Sequence, residues 1–460
     1  MSRHLMKLLA LLLAFALIAA ACGDDDDDTS ASEPAEEPAE EPAEEPAEEP
    51  ADEPAEEPAE DDGGAAATVP DNPDNGITSD TIKVGWMGDL TGPTASSQAF
   101  NSHGTEAYIE CLNERGGVLG RQVEYLPEDD QFSPEAAAVN FTKLTEDDKI
   151  LALLGQGHSG ISTQLQPDTT RLSLAVIGPG QTIDVQLAED STWFNNLAHY
   201  GDQADIAAGQ IGGDVGGLEN AVVMGISLEV PSGSEYAAYV EQSVTNGGGA
   251  YAGTLFVAPG ATEVTAQMVE LQAAIDDQGV NYVTLHGSPG SSLVVMQGMA
   301  DAGITEIPII GIHGVASNSV WTEGPAEITD QTFGAHSFLS ANNTTQASEE
   351  MARCAELAGY GGEELTNNFA HGYLNGYIFE QAIQRAAETG EVTRESFVEA
   401  LYGQFDTLGI TCPIDWDNPQ RHSPCGAAFS LDFETGGMVP ANDFEFYAPQ
   451  LDGEYGIEFG

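Results

Sequence analysis

Apolar runs alternate with amphipathic helical segments along most of the chain after residue 80. The runs at 81–88 and 150–155 both end in glycine, and apolar residues at helical spacing follow the first of them between 107 and 112. A continuous apolar run is typical of a parallel strand that is buried on both faces. The alternation therefore predicts parallel sheets with helices packed on both faces.

The same alternation begins again at Asn220 and continues to Gly314. So many strands would exceed one sheet of ordinary size. We therefore predict an α/β fold of two doubly wound parallel-sheet lobes, which meet near residues 198–205.

The first residues have a different pattern. Arg3 and Lys7 precede an uninterrupted apolar run at 8–21, and Cys22 ends it. A basic start, a short apolar core and small residues at the end predict a secretory signal peptide at 1–21. A retained membrane anchor is the alternative, but a spanning helix needs about 20 apolar residues.

Residues 22–70 predict an extended acidic tether. Five aspartates occupy 24–28, and a Glu-Glu-Pro-Ala repeat runs from 32 to 60. The repeat has almost no residue that could build a core, and its like charges repel one another. A helical acidic rod is the alternative, but proline removes a backbone donor in every turn.

The formal net charge of −64 excludes one class of function. Residues 1–62 hold 21 of the 76 acidic and two of the 12 basic residues. The remaining residues therefore include 55 acidic and 10 basic ones, which gives them a net charge of −45. Because contacts with phosphates need a basic surface, we predict no nucleic-acid binding.

Four cysteines follow Cys22: Cys111, Cys354, Cys412 and Cys425. An even number in an exported chain predicts disulfides, with three possible pairings. Cys412 and Cys425 flank a proline-rich loop and are the local choice, which leaves Cys111 with Cys354. Four free thiols are the alternative. No metal-ligand spacing is present, so no metal or other cofactor is predicted.

Two neighbouring strand ends carry small polar residues. The segment GQGHSGIS at 155–162 follows a buried strand, but Ile161 stands where a nucleophile elbow needs its last glycine. The segment GPGQT at 178–182 ends the next strand. In open parallel sheets ligands bind beyond the carboxyl ends of strands, so these segments predict a ligand site. Ordinary turns are the alternative, and isolated histidines such as His286 at strand ends are more often structural.

Several motifs in a fixed order carry a resemblance to a known family. They are IKVGWMGDLTGP at 82–93, NERGGVLGRQVEYLPEDDQFSP at 113–134, GQGHSGISTQ at 155–164, VIGPGQT at 176–182 and GMADAGI at 298–304. From Thr81 to about Tyr447 the chain resembles the branched-chain amino-acid-binding, leucine-binding-like family of ABC importers. The resemblance implies the type I periplasmic-binding-protein fold, in which three hinge crossovers join the two lobes.

Ala-Ala-Ala-Cys at 19–22 resembles a bacterial lipobox, which implies a lipid on Cys22.

The resemblance also implies how the lobes divide along the chain. The expected order is lobe 1 at 71–200, lobe 2 at 201–336, a return to lobe 1 at 337–408 and a last part of lobe 2 at 409–460.

Site residues follow from the resemblance in the same way. The carboxylate of a ligand is expected at His158, Ser159 and Gly160, with a carbonyl from Gly180 and a hydroxyl from Thr182. In the second lobe the family's aromatic positions fall near Ser232 and Ser288, and its ammonium-binding glutamate falls on His313. A neutral histidine offers no charge to a buried ammonium, so a small carboxylate without a free α-amino group is favoured over an amino acid.

The predicted function is ligand capture outside the cytoplasm. We expect a monomeric, lipid-anchored solute-binding protein on the outer face of the cytoplasmic membrane. It would deliver a small polar ligand (amino acid, amide or carboxylate) to an ABC permease, and it is not expected to be an enzyme. A ligand-sensing receptor domain is one alternative. An exported hydrolase using Ser159 and His158 is another, although no orienting acid is evident.

Overall fold

The structure of this protein is a computed structural model, and its described residues are 69–178, 182–417, 421, 423 and 425–441. These residues belong to one of the two units into which the chain divides, Gly63–Gly460. The predicted signal peptide, the lipidation site at Cys22, the tether up to residue 68 and Gly180 lie outside the described residues. No helix of the described part has the length and apolar character needed to cross a membrane.

Fourteen strands form three sheets in the described part of the chain. In chain order they are β1 (Thr81–Gly88), β2 (Gln122–Asp129), β3 (Ala152–Gln156), β4 (Ala175–Ile177), β5 (Trp193–Phe194), β6 (Val222–Leu228), β7 (Ala250–Val257), β8 (Tyr282–His286), β9 (Ile309–Gly311), β10 (Thr332–His336), β11 (Gln404–Phe405), β12 (Ile414–Asp415), β13 (Ala427–Leu431) and β14 (Met438–Pro440). The first sheet has the order β2-β1-β3-β4-β5 and is parallel throughout. The second has the order β14-β13-β10-β9-β8-β6-β7, in which β13 pairs antiparallel with both β10 and β14. β11 and β12 form a small antiparallel pair.

Helices follow most of the parallel strands. They are α1 (Ala95–Glu114), α2 (Pro134–Thr142), α3 (Ser159–Arg171), α4 (Ile183–Leu187), α5 (Tyr200–Val215), α6 (Pro231–Asn246), α7 (Thr265–Gln278), α8 (Pro289–Ala302), α9 (Asn318–Glu323), α10 (Ala326–Thr329), α11 (Ser348–Ala358), α12 (Asn367–Ala387) and α13 (Arg394–Ala400). Proline begins α2 and α8, and the serine before it accepts a backbone N–H of the first turn in each helix. Such a cap satisfies a donor that would otherwise lack a partner.

Helices α1 and α12 pack so closely in the first lobe that their backbones touch. A Cβ atom on Gly104 would overlap the carbonyl oxygen of Phe369, and one on Gly372 would overlap that of Asn101. Thr105 Oγ1 donates to the carbonyl of Gly372 at 2.9 Å. Glycine is therefore required at this crossing, which brings the first turns of α12 beside α1.

The chain crosses between the lobes three times, after β5, β10 and β12. Ser337, in the second crossover, accepts the N–H of Ala198, in the first, at 2.7 Å. Its carbonyl accepts the hydroxyl of Thr411 at 2.6 Å, and Trp416 Nε1 donates to the carbonyl of Asn195 at 2.9 Å. Hydrogen bonds thus tie the crossovers together where the lobes meet.

The predicted α/β fold of two parallel-sheet lobes joined by three crossovers is confirmed. Three residues lie differently from the expected boundaries. Val69, assigned to the tether, is 4% exposed in the first core, and its carbonyl accepts from Arg121 Nη2 at 2.6 Å. Ile414 and Trp416, beyond residue 408, also belong to that core because β12 pairs with β11 there.

Candidate functional site

A cavity of about 110 Å³ lies between the two lobes, at the carboxyl ends of β1, β3, β6, β8 and β9. This space is enough for several water molecules or a small organic molecule. Among the described residues that line it, none is aspartate, glutamate, lysine or arginine. They are Trp86, Thr94, Ser97, Gln98, Asn101, Phe132, Gln156, Gly157, His158, Ser159, Tyr200, Leu228, Val230, Ser232, His286, Gly287, Ser288, Ile312, His313, Gly314, Asn368 and His371.

Five helices begin at the wall of this cavity. Thr94, His158 and Ser288 immediately precede α1, α3 and α8. Ser232 and Asn368 lie in the first turns of α6 and α12. A helix N-terminus carries about half a positive charge, and its first N–H groups lack partners within the helix. The wall therefore favours electronegative ligand atoms without using a basic side chain.

The first-lobe wall holds one amide donor without a partner. Trp86 Nε1 donates to Asn101 Oδ1 at 3.1 Å, which fixes the orientation of the Asn101 amide. Asn101 Nδ2 is buried and has no hydrogen-bond partner among the described residues. The neighbouring Gln98 is fully engaged, since it donates to Thr94 Oγ1 and to the carbonyl of Gly157 and accepts from the N–H of Asp89.

His158 and Ser159 face the cavity at the start of α3. His158 Nδ1 accepts the N–H of Ile161 at 3.2 Å, so the proton of the neutral ring lies on Nε2. Ser159 Oγ donates to Ser232 Oγ at 3.1 Å and accepts the Ser232 N–H at 3.3 Å, across the two lobes. His158 is not arranged as a base for Ser159, because its available acceptor is already bonded to Ile161.

His371 is oriented by a chain of amides. Asn375 Nδ2 donates to the carbonyl of Leu154 at 3.0 Å, and Asn375 Oδ1 accepts from Asn196 Nδ2 at 2.7 Å. Asn196 Oδ1 is therefore left to accept from His371 Nε2 at 2.7 Å. This polarity places the proton of the neutral ring on Nε2 and leaves Nδ1 as an acceptor.

Two histidines line the second-lobe wall. Gln203 Nε2 donates to the carbonyl of Ala198 at 2.8 Å, so Gln203 Oε1 can only accept. That oxygen accepts the N–H of His313 at 2.9 Å and contacts His313 Nδ1 at 3.2 Å. The neutral His313 ring therefore carries its proton on Nδ1 and keeps the lone pair of Nε2. His286, at the end of β8, has no hydrogen-bond partner at either ring nitrogen among the described residues.

Burial keeps these rings uncharged. Desolvation, followed by the proximity of His313, lowers the pKa of His286 and of His371 to about 3. Desolvation lowers the pKa of His313 to about 4 and also lowers the pKa of His158. At pH 7 all four rings are neutral, so no described side chain of the wall carries a charge.

Predicted site residues that line the cavity together are His158, Ser159, Ser232, Ser288 and His313. Gly160 is not among the described lining residues. A Cβ atom added to it would lie 3.0 Å from His158 Cε1. Thr182 is 5% exposed and immediately precedes α4, but it is not among the described lining residues either. The part that these residues take in ligand binding stays a prediction.

Sequence reasoning missed most of the first-lobe wall. Thr94, Gln98 and Asn101 are polar residues at helical spacing directly after β1, which is a usable signal for a polar helix face at a strand end. His371 carries no such signal, because it reaches the cavity only through the packing of α12 on α1. The sequence around His286 also carries no such signal, because a single histidine at the end of a strand can line a ligand cavity or have only a structural role.

The four remaining cysteines form the two predicted disulfides. Cys111 and Cys354 join α1 to α11 in the first core, with their Cα atoms 5.4 Å apart. Cys412 and Cys425 have a Cα separation of 6.1 Å. Within the described residues, the one group of potential metal ligands contains Cys111 and Cys354, whose sulfur atoms are bonded to each other.

Comparison with known proteins identifies the family. Residues 81–432 match the family model described as periplasmic binding protein. Leu/Ile/Val-binding protein homolog 1 of Brucella suis biovar 1 (strain 1330) is 28% identical over 314 residues, which cover 67% of this chain and 78% of that protein. A branched chain amino acid ABC transporter from Thermus thermophilus with bound valine has a TM-score of 0.71 at 20% identity, over 82% of this chain and 100% of that one. A solute binding protein of an ABC transporter from R. palustris in complex with benzoate has a TM-score of 0.67 at 18% identity, over 80% and 97%. The chain therefore belongs to the periplasmic binding protein family, with the type I fold of its branched-chain amino-acid-binding members.

Proposed function

We propose that this chain is an extracytoplasmic, lipid-anchored solute-binding protein that captures a small carboxylate without a free ammonium group and delivers it to an ABC permease. Capture takes place by closure of the two lobes around the ligand. Two contacts between the lobes support closure: the Ser159–Ser232 hydrogen bond and the bonds from the N–H of Ile183 to the carboxylate of Glu235.

The uncharged wall is the observation that carries the choice of ligand. The described lining residues include no carboxylate that could pair with an ammonium group. A buried ammonium without an opposite charge costs several kcal/mol. The N-termini of five helices at the same wall favour a carboxylate instead.

The solved relatives include binders of both ligand kinds. One holds valine and the other holds benzoate, an acid without an ammonium group. The fold is compatible with either ligand. The neutral His313 in the wall of this chain favours an acid without an ammonium group.

Membrane attachment is proposed from the sequence. Cys22 directly follows the apolar segment, and the acidic repeat after it has the composition of an unfolded linker. A diacylglycerol on the thiol, with a further acyl chain on the amine, supplies the two hydrophobic signals that stable anchoring needs.

Calorimetric titration with valine and with 3-methylbutanoate tests the ligand class, because the two share a carbon skeleton and differ in the ammonium group. We expect tighter binding of 3-methylbutanoate by the unmodified protein and a gain in valine affinity in His313→Glu. His313→Gln, which stays neutral, is the matched control and should show no such gain. Tight valine binding by the unmodified protein would contradict the proposal.

A further inference from the structure

His286 is buried in the second-lobe wall, yet neither ring nitrogen has a hydrogen-bond partner among the described residues. The residue is 5% exposed and lines the cavity. Its ring lies near those of Tyr200 and Tyr236, with centroid separations of 5.6 and 6.1 Å. Because a buried polar nitrogen without a partner is unfavourable, a polar group in the cavity is the natural partner for this ring.

His313 offers a second polar atom on the same wall. Its Nδ1 is held by Gln203, which leaves Nε2 as an acceptor. The rings of His313 and His286 both flank Tyr200, at centroid separations of 6.2 and 5.6 Å. Both rings therefore line the same cavity near Tyr200, where His313 offers an acceptor and His286 offers a donor and an acceptor.

We propose that His286 and His313 together bind a hydroxyl group of the ligand, which is therefore a small hydroxylated carboxylate. This inference rests on the proposed function of the same cavity. A hydroxyl donates its proton to His313 Nε2, and its oxygen accepts from the protonated nitrogen of His286.

Other ligand groups fit the pair less well. A methyl or methylene group would leave His313 Nε2 and both nitrogens of His286 without partners. An ammonium group can donate to His313 Nε2 and to the unprotonated nitrogen of His286, but no described lining residue balances its charge. A hydroxyl carries no charge, and it can donate to His313 Nε2 while accepting from the protonated nitrogen of His286.

The opposite wall complements the acid group of such a ligand. Asn101 Nδ2 is a buried donor without a described partner, and the proton of neutral His158 lies on Nε2. Both are donors, which suit carboxylate oxygens. The ligand would thus place its carboxylate against the first lobe and its hydroxyl against the second.

Matched acids test the inference by isothermal titration calorimetry on the full folded protein. One pair is 2-hydroxy-3-methylbutanoate and 3-methylbutanoate, and the other is 4-hydroxybenzoate and benzoate. In at least one pair the hydroxylated acid should bind about tenfold more tightly or better, because its absence leaves polar groups unpaired. His286→Phe and His313→Leu should each bring this ratio close to one. A cooperative urea-unfolding transition shows that each variant is folded.

Three results would overturn the inference: no preference in either pair, a preference that survives both substitutions, or no binding by any of the four acids. The absence of a preference and the absence of binding are both measured on the unmodified protein. The inference can therefore be overturned even if a variant does not fold. Binding of 3-methylbutanoate or benzoate without a hydroxyl preference would overturn the inference and support the proposed function. Binding of valine in preference to all four acids would contradict both.

Discussion

Glu235, in the second lobe, accepts the backbone N–H of Ile183, in the first lobe, with its two carboxylate oxygens at 3.1 and 3.3 Å. Glu235 is 2% exposed, and His199 Nε2 at the hinge lies 3.0 Å from one of these oxygens. The carboxylate therefore links both lobes and the first crossover in the closed arrangement.

Glu235→Gln is expected to weaken ligand binding by about tenfold or more. A hydrogen bond to a buried charged group contributes about 1.5–3 kcal/mol, and this one joins the two lobes. Fluorescence titration with the molecule released from the native protein measures the effect, since Trp86 lines the cavity. Glu241→Gln, on the exposed face of the same helix, is the control and should bind normally. Equal affinity of the two variants would show that the contact does not stabilise closure.

Gly372→Ala is expected to lower the free energy of unfolding by about 1–3 kcal/mol, because α12 would have to move away from α1. Gly213→Ala is the matched control: Gly213 is also inside a helix, but no atom lies within 4 Å of its Cβ position. That variant should be unchanged or up to about 1 kcal/mol more stable. Urea unfolding measures both, and equal effects would contradict the backbone contact between the helices.

Acid should destabilise the protein through its buried histidines. The pKa of His371 is about 3 in the folded protein, below its ordinary value near 6.5, so the unfolded chain binds more protons between these values. The stability that the neutral ring contributes is complete above pH 6.5 and is lost as the pH falls towards 3.

Comparison with His371→Asn isolates this contribution from the many carboxylates. The unmodified protein should be the more stable of the two at pH 7, and the difference should shrink by about 2 kcal/mol at pH 4.5. Urea unfolding across this range measures it. A difference that stays constant with pH would mean that His371 has an ordinary pKa.

The tether should be dispensable for binding. A shortened chain beginning at Gly63 is expected to keep full ligand affinity and to lose membrane association, as Cys22→Ser should in the full chain. A chain beginning at Asp71 lacks Val69 and should be about 2 kcal/mol less stable, because a buried side chain and a partner of Arg121 are removed. Calorimetric titration measures the affinity, flotation with membranes measures the membrane association, and urea unfolding measures the stability. A large loss of affinity in the Gly63 chain would refute the tether.

The sequence predicted the fold better than the site. Strands such as β1 and β3 carry their own pattern, because burial on both faces demands a continuous apolar run. β14 has no such pattern, because it has only three residues and lies at the edge of the second sheet, next to β13. Their antiparallel pairing depends on where the third crossover returns the chain.

The site could be predicted only where residues follow a strand directly. Ser159, Ser288 and His313 were within reach of sequence reasoning because the ends of parallel strands meet at one edge. Asn368 and His371 were not, because they enter the wall through a helix that packs from a distant part of the chain. Their role depends on tertiary packing.

Mass spectrometry of the small molecule released from the natively purified protein tests the central claim most directly. The account predicts an organic acid that lacks a primary amine, because the wall offers helix N-termini and neutral rings but no described carboxylate. Release of leucine, valine or another free amino acid would contradict it.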